Sequence, residues 1–206
     1  RGIKVENGAV VIGAMTRHVV VANSAEVKKA IPALAALAGG IGDPAVRNRG
    51  TCGGSIANND PAADYPAACL ALGATITTNK RAIKADDFFT GLFETALGDG
   101  EIITSISFPI PDKANYQKFR NPASRYAIVG VFVADFGGSV RVAVTGAGPC
   151  AFRQGDMEKA LAAKFEPASA AGVKVSDKGL NSDLHASAEY RAHLITVMAK
   201  IGRAHV

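Results

Sequence analysis

The chain has 206 residues, 48% hydrophobic and 20% charged. That is long enough for one large or two small domains, and too apolar to stay disordered for want of a core. The formal charge is +5, from 23 Lys and Arg against 18 Asp and Glu. The basic residues are scattered singly instead of forming the clustered face that a nucleic acid demands, which argues against that partner.

No run reaches the roughly 18 uninterrupted apolar residues of a membrane span, and Arg1-Gly2-Ile3-Lys4 has no signal-peptide apolar core. Cys52, Cys69 and Cys150 are odd in number, far apart and without CxxC or Cys/His metal spacing. Free thiols in a reducing cytoplasm fit this usage, and a cytoplasmic location is expected.

In chain order, Arg1 leads almost directly, with no start methionine, into the strand-like run Ala9-Val10-Val11-Ile12, so residues ahead of Arg1 are expected to be missing. Asn23 to Leu37 places Val27, Ile31, Leu34 and Leu37 at helical spacing behind the N-cap candidates Asn23 and Ser24. Pro32 should kink or split this helix, and Gly39-Gly40 should end it in the positive-φ conformation of a C-cap. Ile41 to Asp60, rich in Gly, Asn and Arg and without periodicity, reads as a loop. Pro66 to Leu72 predicts a short helix with proline in its first turn and Gly73 past its end. Ala74 to Thr78 predicts a strand, Asp86-Asp87-Phe88-Phe89 a short helix, and Glu101 to Phe108 a strand terminated by Pro109 and Pro111. The double proline marks a domain boundary near residue 112.

Beyond it, Tyr116 to Arg120, Tyr126 to Phe136 and Val140 to Gly146 are β-rich, with Gly137-Gly138 as a hairpin turn. Helices are expected near Asp156 to Phe165 and Ala188 to Lys200, the second carrying Tyr190, Leu194, Val197 and Met198 on one face. Antiparallel strands followed by helices define the fold class as α+β. Residues Ile201 to Val206 read like a translated sequencing adapter, a non-native tail that carries no chemistry.

The densest chemistry lies in Arg47-Asn48-Arg49-Gly50-Thr51-Cys52-Gly53-Gly54-Ser55 and the residues up to Asp64. Without a Cβ, Gly53 and Gly54 can bring backbone N–H groups against a ligand in an anion-binding concavity. Thr51 and Ser55 add hydroxyl donors and Arg47 adds charge, a set suited to pyrophosphate; Asp64 can accept from a sugar or polyol hydroxyl. On residue types alone, a plain turn remains the competing reading. Neither GxxxxGK[ST] nor GxGxxG is present, which disfavours classical nucleotide folds. His18, His185, His193 and His205 form no ligand set or nucleophile–base pair and receive no role. Asp86-Asp87 and Lys28-Lys29 read as solvated helix faces, and Met157 and Met198 as core fillers.

The segment Ile41-Gly42-Asp43-Pro44-Ala45-Val46-Arg47-Asn48-Arg49-Gly50-Thr51-Cys52-Gly53-Gly54-Ser55, followed by Asn58-Asn59-Asp60-Pro61-Ala62-Ala63-Asp64, closely resembles the FAD-binding medium subunit of the molybdenum hydroxylases. Those are the aerobic carbon monoxide dehydrogenase and xanthine dehydrogenase family. The resemblance continues through Phe88-Phe89-Thr90-Gly91, Glu101-Ile102-Ile103 and Pro122-Ala123-Ser124-Arg125-Tyr126 to Asn181-Ser182-Asp183-Leu184-His185.

It implies a flavoprotein oxidoreductase subunit with FAD as cofactor and no substrate-oxidising site of its own. Electrons would come from a small subunit with two [2Fe–2S] clusters, beside a large molybdopterin subunit, in a dimer of heterotrimers. By resemblance, Thr51, Gly53, Gly54 and Ser55 lie against the FAD pyrophosphate. Asn58 and Asp64 bond the phosphate and ribityl region, and Ile103 offers a backbone contact to the flavin. Lys118 reaches the cofactor, with Arg120 as competing choice. Tyr126 flanks the isoalloxazine ring, unless it packs in the core.

Residues 1–112 would then be the second lobe of a PCMH/vanillyl-alcohol-oxidase-like FAD domain whose first lobe, with the family's first glycine loop, precedes Arg1. Residues 113–200 would be the C-terminal α+β domain, and 201–206 the tail. Cys52 replaces the family's aliphatic residue as a small buried hydrophobe. The alternative function is a flavin-less scaffold subunit of the same complex.

Overall fold

The computed structural model describes residues 1–204 of the chain, with side chains to Gly202. It opens with β1 (Ile3–Glu6) and β2 (Ala9–Gly13), joined by Asn7-Gly8, both at positive φ. An Asn-Gly pair is the preferred filling of a two-residue hairpin turn, so the expected Ala9–Ile12 strand belongs to a hairpin. Then come the short helices α1 (His18–Asn23), α2 (Ala25–Ala30), α3 (Pro32–Gly39), α4 (Pro44–Arg49), α5 (Cys52–Asn58) and α6 (Tyr65–Ala71), followed by β3 (Thr75–Thr78) and β4 (Ala82–Lys84). The ribbon β5 (Phe89–Gly91) and β6 (Glu94–Thr95) precedes β7 (Ile103–Pro109), which returns to the centre of an antiparallel sheet ordered β1-β2-β7-β3-β4.

Period-two alternation sets that sheet's faces. Ile106 and Phe108 of β7 are buried while Ser105 and Ser107 are half-exposed, and Ile106 lies opposite Ile12 on one side and Ile76 on the other. These cross-strand pairs form one apolar ladder within the core that also holds Leu34 and Leu37 of α3 and the buried residues of α6.

The second sheet, ordered β11-β10-β9-β8, is built from β8 (Lys113–Arg120), β9 (Ala127–Phe136), β10 (Ser139–Thr145) and β11 (Phe152–Arg153). Gly137 and Gly138, at φ +69° and +97°, turn β9 into β10 and pair Phe136 with Ser139. Phe132, Ala134 and Ala143 face the first core, where buried α6 packs against β9 and β10. Val129, Val131 and Val133 face a second core closed by α7 (Gly155–Ala163), α8 (Pro167–Ala171) and α9 (Ala188–Ala204). Burial on both faces explains why Ala127 to Ala134 reads as one continuous apolar run. The result is α+β, as expected.

Several elements differ from the sequence reading. Pro32 splits the helix expected over 23–37 into α2 and α3, with Ser24 Oγ accepting from Val27 N–H at 3.3 Å as N-cap. Gly40 caps α3 in the right-handed region, at φ −87°, and the left-handed residue is Gly42 at +48°. The expected loop at 41–60 holds α4 and α5. Asp43 caps α4, its carboxylate accepting from Val46 N–H at 2.8 Å with Pro44 at the first helical position; Thr51 caps α5. Only a 3₁₀ turn forms at Ala85–Asp87, and Phe89 enters β5. Pro109 is the last residue of β7. The helix expected to stop at Lys200 continues to Ala204, while His205 and Val206 of the expected tail lie outside the described residues. Among the described residues no helix is long and apolar enough to cross a membrane.

Candidate functional site

Where the end of β2, the α4–α5 segment and the loop before β9 converge, they enclose a cleft of about 540 Å³, within the range of small-molecule and cofactor sites. Its floor is fixed by backbone pairing. Cys52 N–H donates to Thr16 O at 2.9 Å, Gly53 N–H to Ala14 O at 2.8 Å, and His18 N–H to Gly50 O at 3.0 Å. A Cβ on Gly53 would come within 2.8 Å of Ala14 Cα and 2.9 Å of its carbonyl oxygen. Gly53 is therefore the residue that lets α5 lie against the chain leaving β2.

Gly54 N–H donates to Thr51 Oγ1 at 3.1 Å. The N–H groups of residues 52 to 54, which the first turn of a helix leaves without intrahelical partners, are thus all engaged inside the protein, two by the Thr16 and Ala14 carbonyls and one by the cap hydroxyl. They do not make the open backbone concavity read from the sequence. Facing the cleft are the Thr51 and Ser55 side chains, exposed Gly54 and the Asn58 amide.

Arg47, expected to lend charge to a ligand, donates from Nη1 to the Ile41 and Gly42 carbonyls, both at 2.9 Å, and ties the loop before α4. The cations lining the cleft are Arg49 and Arg125. Among the described residues neither is in an ion pair; Arg125 makes one long contact, 3.5 Å, to Gly42 O.

Asp64 lines the cleft from a buried position. It accepts from the Tyr116 hydroxyl and from Lys118 Nζ, at 3.0 Å to Oδ1 and 3.1 Å to Oδ2. Burial pushes its carboxyl above the usual range, against the opposing pull of Lys118 and Tyr116. Lys118, its side chain 3% exposed, also donates to Gly40 O at 3.0 Å. It sits behind Asp64 instead of on the cleft surface, and Arg120 lies exposed beside Gly40. Half-exposed Tyr126 forms the lip.

Thr51, Gly54, Ser55, Asn58, Asp64 and Tyr126 therefore share one cleft, with Gly53 beneath its floor and Lys118 behind its wall. Ile103 starts β7 opposite Thr78, half-buried and outside the cleft lining. Sequence reasoning gave no site role to His18, Met15, Asp60 or Ser124, and the tertiary pairing of residues 14–18 with 50–53 is what brings His18 and Met15 in. Among the described residues no group of three or more His, Cys, Asp or Glu could hold a metal ion.

Residues 1–111 match the family described as the FAD binding domain in molybdopterin dehydrogenase. The nicotine 6-hydroxylase medium subunit of Paenarthrobacter nicotinovorans is 38% identical over 199 residues, covering 89% of this chain and 70% of that one. The carbon monoxide dehydrogenase medium chain of Hydrogenophaga pseudoflava is 33% identical over 218 residues, covering 97% and 75%. The crystal structure of quinoline 2-oxidoreductase from Pseudomonas putida 86 superposes with a TM-score of 0.88 at 28% identity, covering 99% of this chain and 76% of that one.

Proposed function

The chain belongs to the FAD-binding family of the molybdopterin dehydrogenases, and from that premise we propose that it is the electron-transferring medium subunit of a heteromeric molybdenum hydroxylase. In this reading a small partner subunit delivers electrons from [2Fe–2S] clusters, and a large molybdopterin subunit oxidises the substrate. The assembly is a dimer of heterotrimers, and this chain oxidises no substrate itself. Bound FAD supplies a ring that takes up single electrons and releases them in pairs, while the protein sets its position and electrostatics. Residues 1–112 form the cofactor-binding domain and residues from 113 on the C-terminal domain, whose last helix runs to Ala204.

The observation that carries the reading is the cleft's pair of guanidinium groups, Arg49 and Arg125, which have no carboxylate partner among the described residues and lie beside hydroxyl and amide side chains. That donor set fits a diphosphate: guanidinium binds phosphate oxygens well, and Thr51, Ser55 and Asn58 add neutral donors. Asp64, held by Tyr116 and Lys118, offers acceptor oxygens to a polyol hydroxyl. Tyr126 at the lip would flank the ring.

The test is to purify the full-length protein, record its visible absorbance and titrate it with FAD. Flavin bands, or saturable quenching of FAD fluorescence, are expected. A colourless protein that ignores added FAD refutes the reading and leaves the flavin-less scaffold.

A further inference from the structure

His18 begins α1 at the back wall of the cleft, and only 4% of it is exposed. Its ring lies 5.4 Å from that of fully buried Tyr65, which fixes the imidazole plane. Nδ1 is sealed from solvent and has no hydrogen-bond partner among the described residues. A proton there would be a buried orphan donor, the rarer and costlier kind of unsatisfied polar group. The proton is therefore assigned to Nε2. That edge abuts Gly50, where an added Cβ would lie 2.5 Å from Nε2. Gly50 also lines the cleft, so the missing side chain leaves the imidazole edge room at the ligand space.

We propose that His18 is a cofactor-binding residue whose Nε2–H donates to a diphosphate oxygen of FAD. The inference rests on the flavin reading above. The diphosphate is the part of FAD that places several anionic acceptors together, and Nε2 stands next to the segment that carries Arg49 and Thr51. The backbone bridge between Arg17 and Thr51 holds the two walls in register there. Burial also lowers the imidazole pKa to about 4 in the ligand-free chain, so His18 meets the ligand as a neutral donor near neutral pH.

FAD affinity by fluorescence quenching, with ³¹P spectra of the bound cofactor, tests this on the full-length protein. H18F keeps a ring against Tyr65 but removes the donor. It should bind FAD roughly 10- to 100-fold more weakly, the effect of losing one hydrogen bond to a charged group. H18Q, which restores an N–H near the same position, should recover most of that affinity. G50A, whose methyl would displace the imidazole edge, should weaken binding if H18F folds poorly. The ³¹P resonances should move in H18F while the visible flavin bands do not.

Wild-type affinity retained in both H18F and G50A overturns the His18 inference alone. So does a shift of the flavin bands with unmoved ³¹P resonances, which would put His18 at the ring. A wild-type protein that binds no FAD overturns the flavin reading itself, and this inference with it.

Discussion

Replacing Lys118 with Met probes the wall of the cleft. Lys118 and Asp64 meet at 3.0 Å with side chains 3% and 5% exposed, so neither is solvated. K118M keeps much of the buried chain but leaves the carboxylate facing only the Tyr116 hydroxyl. Removing one partner of a buried pair typically destabilises by about 3–5 kcal/mol, because an uncompensated charge stays behind. The carboxyl, already raised by burial, then retains its proton in the folded state when the unfolded chain has released it. Folding therefore becomes harder as pH rises above about 4, the unfolded carboxylate range.

Urea unfolding of K118M should show a loss of about 3 kcal/mol or more at pH 7, shrinking at pH 4. The double variant D64N/K118M should recover part of it. A loss below about 1 kcal/mol at pH 7, or one that does not depend on pH, would refute the claim that this pair is buried and coupled.

G53A should cost about 1–3 kcal/mol by forcing a methyl into Ala14, and G54A less, since Gly54 is exposed and only the Thr51 hydroxyl crowds it; equal losses in denaturant melts would contradict the packing assigned to Gly53. R49A and R125A should each weaken FAD binding about fivefold or more, roughly 1 kcal/mol, with a shallower salt dependence than wild type; unchanged titrations at low salt would remove both from the site. Arg81, Gly98 N–H and Thr78 hold the Glu101 carboxyl down to about 2, so its contribution is present above about 4.5 and fades as pH falls towards 2, and E101Q should flatten that limb of the pH–stability curve. His18, held at about 4, gives stability that is fully present above about 6.5 and fades as pH falls towards 4; H18Q should abolish that slope, and an unchanged slope would count against its burial.

Strong periodicity and strong turn chemistry made much of the fold legible. The alternating β7, the Gly137-Gly138 turn and the split at Pro32 follow from local rules. The helices α4 and α5 escaped because they are short and have no apolar stripe, and α5 also holds Gly53-Gly54; only their caps, Asp43-Pro44 and Thr51, announced them. In the site, residues 51 to 64 were found because they are contiguous. Nearness in sequence did not show where these groups turn: Arg47 binds carbonyls of its own loop, and the Gly53 N–H binds the Ala14 carbonyl just past β2. His18 joins the cleft only through pairing with a distant segment, which a single sequence does not encode locally.

Tyr116 belongs to β8 yet its hydroxyl reaches Asp64, passing over Gly130 of β9, where a Cβ would collide with it. The Thr145 hydroxyl, from β10, likewise holds the Pro61 and Ala63 carbonyls. The cleft is thus not a detachable module of the first sheet. A chimera grafting residues 1–111 onto a foreign second half inherits a working wall only if Tyr116, Lys118, Gly130 and Thr145 travel as one set, and changes at these positions across homologues should be correlated, not independent.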